Sequence, residues 1–159
     1  MAPPARAVAF LLLVMGAQPL RAQSGLIVLP EARLDVIAAR STAVQVGLAV
    51  SAGSTGYNRV VLVAAAGVAE RGGRSQASGR LDASMRFLLD PSRLSRWGIY
   101  GFGGLSALYD GFTDWRAVVH LGLGLEFPSR RTSEWAAEVG LGGGVRVGLS
   151  FRRVQPQHR

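Results

Sequence analysis

No cysteine and no lysine occur among the 159 residues. The first absence excludes disulfides, thiolate nucleophiles and cysteine metal sites. The second excludes the lysine of a Walker-type phosphate loop, so clusters such as Gly101-Phe102-Gly103-Gly104 do not read as nucleotide cradles. Histidine is scarce, with His120 in an apolar stretch and His158 near the end. A lone histidine is a poor metal site, and no cofactor is expected. Beyond the first 22 residues no apolar run approaches the ~20 residues of a spanning helix, and no helical period of useful length appears. If such a chain enters a membrane, it must do so as a closed barrel, which leaves no backbone group unpaired in lipid.

The N-terminus has the three parts of an export signal. Arg6 supplies positive charge, residues 7–17 form a short apolar run, and Leu20-Arg21-Ala22 ends in a small residue. The pattern predicts a signal peptide over 1–22, cleaved after Ala22. The run is too short for an uncleaved spanning anchor. Residues 23–153 then form one domain, and 154–159 a polar, flexible tail. Removing Arg6 and Arg21 leaves 16 arginines against 10 acids, a net charge of +6. A basic balance fits nucleic acid in general, but these arginines are scattered with little aromatic interleaving, and an exported chain rarely meets it. Lipid headgroup phosphate is the expected polyanion.

The mature sequence alternates bulky apolar residues with small or polar ones. Val145, Val147, Leu149 and Phe151 alternate with Arg146, Gly148, Ser150 and Arg152. Leu121, Leu123, Leu125 and Phe127 alternate with His120, Gly122, Gly124 and Glu126. This is the period of a two-faced strand. The small, polar face fits the concave side and the bulky apolar face the convex side, as in a barrel in lipid. Strands are predicted near 33–39, 43–52, 58–69, 79–89, 97–108, 116–127, 134–142 and 145–153. They are separated by Gly53-Ser54-Thr55-Gly56, Gly72-Gly73, Asp90-Pro91-Ser92, Asp110-Gly111, Pro128-Ser129 and Gly143-Gly144. The link Arg40-Ser41-Thr42 holds neither Gly nor Pro, so 33–51 also reads as one bent strand. The connections are too short for crossover helices, so neighbours pair antiparallel. With alternating direction, Phe87, Trp97, Phe127, Trp135 and Phe151 fall at one rim, and Tyr109, Phe112 and Trp115 at the other. That is the placement of two aromatic girdles.

These features resemble the small eight-stranded outer-membrane β-barrel proteins, the OmpA-like and OmpX-like group of Gram-negative-type bacteria. The resemblance covers the mature chain and implies an all-β, eight-stranded antiparallel up-and-down transmembrane β-barrel in the bacterial outer membrane. It also implies recognition of the last strand, 145–151, by the barrel-assembly machinery through Val145, Val147, Leu149 and Phe151. Here Phe151 is not terminal, because Arg152 to Arg159 follow.

The phase assignment puts Asp35, Gln45, Asp82, Arg86, His120, Glu126, Glu138 and Arg146 inside. Arg86 and Arg146 are expected to neutralise Glu126, Glu138 and Asp82, since unpaired buried charges cost several kcal/mol each. A proton path or narrow conductance is the other reading. Small inward residues such as Gly47, Ala49, Gly122, Gly124, Gly140 and Gly148 would make room for the arginines. Arg71 and Arg74, with Arg80 just after them, are expected outside, against lipopolysaccharide-like headgroups. Arg93, Arg96, Arg130, Arg131, Arg152 and Arg153 are expected on the periplasmic rim.

The expected role is non-enzymatic, structural or in envelope interaction. Lipid A deacylase barrels place a His and a Ser two residues apart facing lipid, whereas the residue two after His120 is Gly122. The main alternative is a soluble periplasmic or secreted barrel holding a small apolar ligand, with the two faces exchanged; a lipid-modifying enzyme comes behind it.

Overall fold

A computed structural model of the chain describes residues 27–55, 58–89, 97–130 and 133–153. The proposed leader (1–22), the tail (154–159) and Arg93, Arg96 and Arg131 lie outside the described residues. The described chain forms strands β1 (Ile27–Ala38), β2 (Thr42–Thr55), β3 (Asn58–Arg71), β4 (Arg74–Leu88), β5 (Gly98–Asp110), β6 (Thr113–Arg130), β7 (Ser133–Leu141) and β8 (Val145–Arg153). Each pairs antiparallel with its sequence neighbour, and β1 pairs with β8, so the sheet closes.

The eight strands fall where alternation and turn residues predict them, β1 to β6 with longer ends. β1 begins six residues earlier than its apolar pattern. Pro30 reads as punctuation, yet the β1–β8 register starts only at Glu31↔Arg152, so at Pro30 the sheet has a register partner on the β2 side alone. β4 begins at Arg74 because the polar run Arg74–Ser78 is held by register partners from Gly67 to Arg71 on β3. The stretch 33–51 is two strands. They turn at residues 39–41 without glycine, where the Ala39 N–H donates to the Ser41 carbonyl at 3.0 Å, and the Ser41 hydroxyl donates to Asp110 at 3.2 Å. At Gly72 and Gly73 the chain reverses in two residues with φ of 58° and 75°. A two-residue turn with both φ positive matches the strand twist, and glycine adopts it without strain.

Both described chain ends lie at one rim, the terminal rim. The opposite, far rim carries only the tight turns 39–41, 72–73, 111–112 and 142–144. Val119 is 69% exposed and Leu105 63%, whereas Asp35 is 0% and Arg80 2% exposed. The bulky apolar face is therefore the outer wall and the charged face the interior. This arrangement is opposite to the one a soluble ligand-holding barrel requires. One wall departs from the rule: on β3 Val61, Val63 and Ala65 also point inward, where they pack with Ala49 of β2.

The rings pair on the outer wall as Trp97–Phe127, Trp135–Phe151 and Tyr109–Trp115. Phe112 corrects the expected girdle. It turns inward at the far rim against Ile37, Ala43 and Ala69, because a residue in a tight turn is not bound by the strand's phase.

Candidate functional site

The interior is the candidate site, and it is built as layers of charge. Nearest the terminal rim, Arg152 of β8 holds Glu126 of β6 at 2.9 Å and reaches Glu134 of β7 through Nε at 2.6 Å. Arg59 of β3 lies 3.6 Å from the same Glu126 carboxylate. Arg152 also lies 3.6 Å from Glu31 of β1, which Arg86 of β4 approaches to 2.9 Å. Arg86 then reaches Glu138 of β7 at 2.9 Å.

Glu138 is the hub of the middle layer. It also accepts from the Tyr100 hydroxyl at 2.7 Å, from Arg146 at 3.3 Å, and from Arg33. Toward the far rim, Asp35 is shared by Arg33 at 3.3 Å and Arg80 at 2.5 Å. Asp82 takes Arg80 and Arg146, each at 3.1 Å. The Ser106 hydroxyl lies 2.7 Å from Asp82 and 2.7 Å from His120 Nδ1.

Six acids (Glu31, Asp35, Asp82, Glu126, Glu134 and Glu138) thus face six arginines (Arg33, Arg59, Arg80, Arg86, Arg146 and Arg152). The interior network is neutral as a set, so the chain's net positive charge comes from residues outside it. Guanidinium groups with several donors can bridge two carboxylates at once, and most of these arginines do so.

Aromatic rings complete the filling. Arg86 sits over Tyr100 at 5.2 Å and Arg146 over Phe102 at 5.0 Å. The inward glycines of β6 and β7 give room to these rings more than to arginines. A Cβ on Gly140 would stand 3.0 Å from the Phe102 ring, and one on Gly122 or Gly124 would collide with Phe102 or Tyr100. Gly148 does serve the charges: a Cβ there would strike Asp35 and lie 3.2 Å from Arg33.

Asp82, Arg86, His120, Glu138 and Arg146 lie buried together in the interior, with Asp35 and Gln45; Glu126 is half-buried near the terminal rim. Two positions are corrected. Arg80, expected outside against headgroups, is buried between Asp35 and Asp82. It shares the phase of Asp82, and phase outranks its nearness to the basic turn. Arg152, expected on the rim, is buried among Glu31, Glu126 and Glu134, in phase with Arg146. Arg71 and Arg74 are exposed at the hairpin tip. Glu31, Arg33, Arg59, Tyr100, Ser106 and Glu134 were missed. Arg33 and Glu31 stand two and four residues before Asp35, in the same phase, so alternation alone could have found them.

Ser106, His120 and Asp82 touch, but not as a hydrolytic triad. The carboxylate contacts the serine and not the imidazole, so it orients no general base. Among the described residues, no group of three or more His, Asp or Glu is placed to hold a metal ion.

Fold and interior together define a closed, eight-stranded up-and-down barrel with an apolar outside and a charged, filled inside. In structure the chain is similar to the N-terminal β-barrel domain of Pseudomonas aeruginosa OprF. The TM-score is 0.56 at 17% identity, over 82% of this chain and 97% of that domain. It is also similar to the de novo designed TMB2.3, with a TM-score of 0.49 at 12% identity, over 85% of this chain and all of that one. No family model and no curated protein matches the sequence.

Proposed function

We propose that the protein is a non-enzymatic outer-membrane β-barrel that spans lipid with a side-chain-filled lumen, in a structural or envelope-interaction role. The observation that carries this is the inverted burial: a continuous outer wall of exposed Val, Leu and Ile around a closed set of ion pairs. Water would solvate that wall at a cost of about 25 cal/mol for every Å² left uncovered. Lipid covers it without cost.

The aromatic tiers support the same reading. The Trp115 ring leans to 4.0 Å from the Cβ position of Gly79 near the far rim, and Phe87 lies eight residues further along β4. At ~3.3 Å per residue and a tilt of ~40° this is a height of about 20 Å, close to the ~25 Å apolar band of outer-membrane barrels. An outward groove of about 780 Å³ over β2–β4 is walled by Val46, Val50, Leu62, Leu81 and Trp115, a surface suited to acyl chains.

On this reading residues 1–22 are removed on export. The last strand, 145–151, engages the assembly machinery, and Arg71 and Arg74 meet lipopolysaccharide-like headgroup phosphates, with no nucleic-acid partner. The test is fractionation of the expressed protein, followed by electrophoresis with and without boiling. Outer-membrane recovery, a heat-dependent mobility shift and a mature N-terminus at Gln23 are expected. Recovery in the soluble fraction without a shift would overturn the reading. Membrane lipids of unchanged acyl composition with and without the protein are expected of a non-enzyme.

A further inference from the structure

Below the turns of the far rim lies a cavity of about 10 Å³, with Arg80, Phe102, Ser106, His120, Leu141 and Arg146 in its lining. Three polar atoms of its lining residues are buried without a hydrogen-bond partner: His120 Nε2, Arg80 Nη1 and Arg80 Nε, the last lying 3.1 Å from the Asp82 carboxylate as an ion pair. His120 is 4% exposed and Arg80 2%.

Hydrogen-bond accounting fixes the polarity of this corner. Asp82 is paired to Arg80 and Arg146, so its carboxylate accepts only. A serine hydroxyl has one proton, and Ser106 directs it to Asp82 Oδ1. The Ser106 oxygen must therefore accept from His120 Nδ1–H across their 2.7 Å contact. With the proton on Nδ1, Nε2 carries a bare lone pair and needs a donor. Arg80 Nη1, a donor only, needs an acceptor. Apart from Ser106, the groups acting on His120 are Arg80 and Asp82 from β4, Glu138 from β7 and Arg146 from β8.

We propose that this cavity is a one-water site at the head of a one-directional hydrogen-bond chain that runs through His120 and Ser106 and ends on Asp82. The volume matches a single water, which needs at least ~10–15 Å³ and two or more polar partners. Its O–H donates to Nε2 and its oxygen accepts from Arg80, so one molecule satisfies both atoms. Every donor then points the same way: water to His120, His120 to Ser106, Ser106 to Asp82. The chain requires the closed lumen alone and holds whether the outer wall meets lipid or water.

The tautomer is read from long-range ¹H–¹⁵N correlations of histidine-labelled protein in detergent micelles, with His120→Gln distinguishing His120 from His158. Neutral His120 protonated on Nδ1 is expected, together with loss of that fixed state in Ser106→Ala and its retention in Ser106→Thr. A proton on Nε2 in the unsubstituted protein would overturn the proposal, as would an unchanged tautomer in folded Ser106→Ala. Crystals grown with bromide give the occupant: water density beside Nε2 supports the site, and halide there overturns it. The unsubstituted protein's tautomer decides the matter even if Ser106→Ala does not fold.

Discussion

At the scale of single residues, the interior is decided by what happens when one partner leaves. Glu138 accepts from Arg33, Arg86, Arg146 and Tyr100. Glu138→Ala takes one of two carboxylates from each of three buried guanidinium groups and leaves the interior with an unmatched positive charge, and removing one member of a buried pair typically costs ~3–5 kcal/mol. A loss of that order is expected in urea unfolding of the detergent-folded barrel, with a smaller loss for Glu138→Gln, which keeps shape and an acceptor. Glu134 is the internal control. Its side chain is 31% exposed and, among the described residues, ion-paired to Arg152 alone, so Glu134→Ala should cost at most ~1 kcal/mol, as weakly buried pairs do. Equal losses at the two positions would mean that the network is not the framework of the interior. Arg71→Ala and Arg74→Ala, at the exposed hairpin tip, should leave stability within ~0.5 kcal/mol.

At the scale of strands, β5 and β6 are fitted ring to glycine. Tyr100 and Phe102 of β5 occupy the space above Gly124 and Gly122 of β6. Gly124→Ala drives a Cβ into the Tyr100 ring and should cost ~1–3 kcal/mol, the usual range for overpacking. Combined with Tyr100→Ala the two losses should fall short of additive by more than ~0.5 kcal/mol, as contacting residues do. Gly103→Ala, whose Cβ would meet its nearest atom at 3.5 Å, should change stability by less than ~1 kcal/mol. β6 and β8 were legible in the sequence because each has one small or polar face and one bulky face. β3 was legible only as an apolar run, since Val61, Val63 and Ala65 face inward and break the contrast. The starts of β1 and β4 were hidden, one by Pro30 and the other by a polar hairpin arm. Half of the twelve charged members of the interior network followed from phase, but its pairings did not. Arg33 and Glu138 are 105 residues apart, and they meet only because closure of β8 on β1 brings β7 and β1 to opposite sides of one strand. Arg80 and Arg152 went astray where nearness to a turn was weighed above phase.

At the scale of the whole molecule, the interior is sealed by more than charge. At the far rim Phe112 packs on Ile37, Ala43 and Ala69. Within the barrel Leu88 packs on Tyr100, Phe102 and Ala136, and the ion-pair layers occupy the same interior. An eight-stranded barrel is just wide enough for side chains to fill, and a charge-balanced filling offers an entering ion no unmatched partner. Reconstituted in planar bilayers, the protein should therefore show no steady single-channel current. Phe112→Ala should not open it, because the pairs of Asp35, Asp82 and Glu138 still lie behind that plug. A path requires side chains to be removed from successive layers at once, as in Phe112→Ala combined with Arg80→Ser and Arg86→Ser. That variant uncovers Asp35 and Glu31 along one side of the lumen and should pass cations in preference to anions. A steady current through the unsubstituted barrel would show that the layers part within the membrane, and that the ion pairs act as a gate and not as a filling.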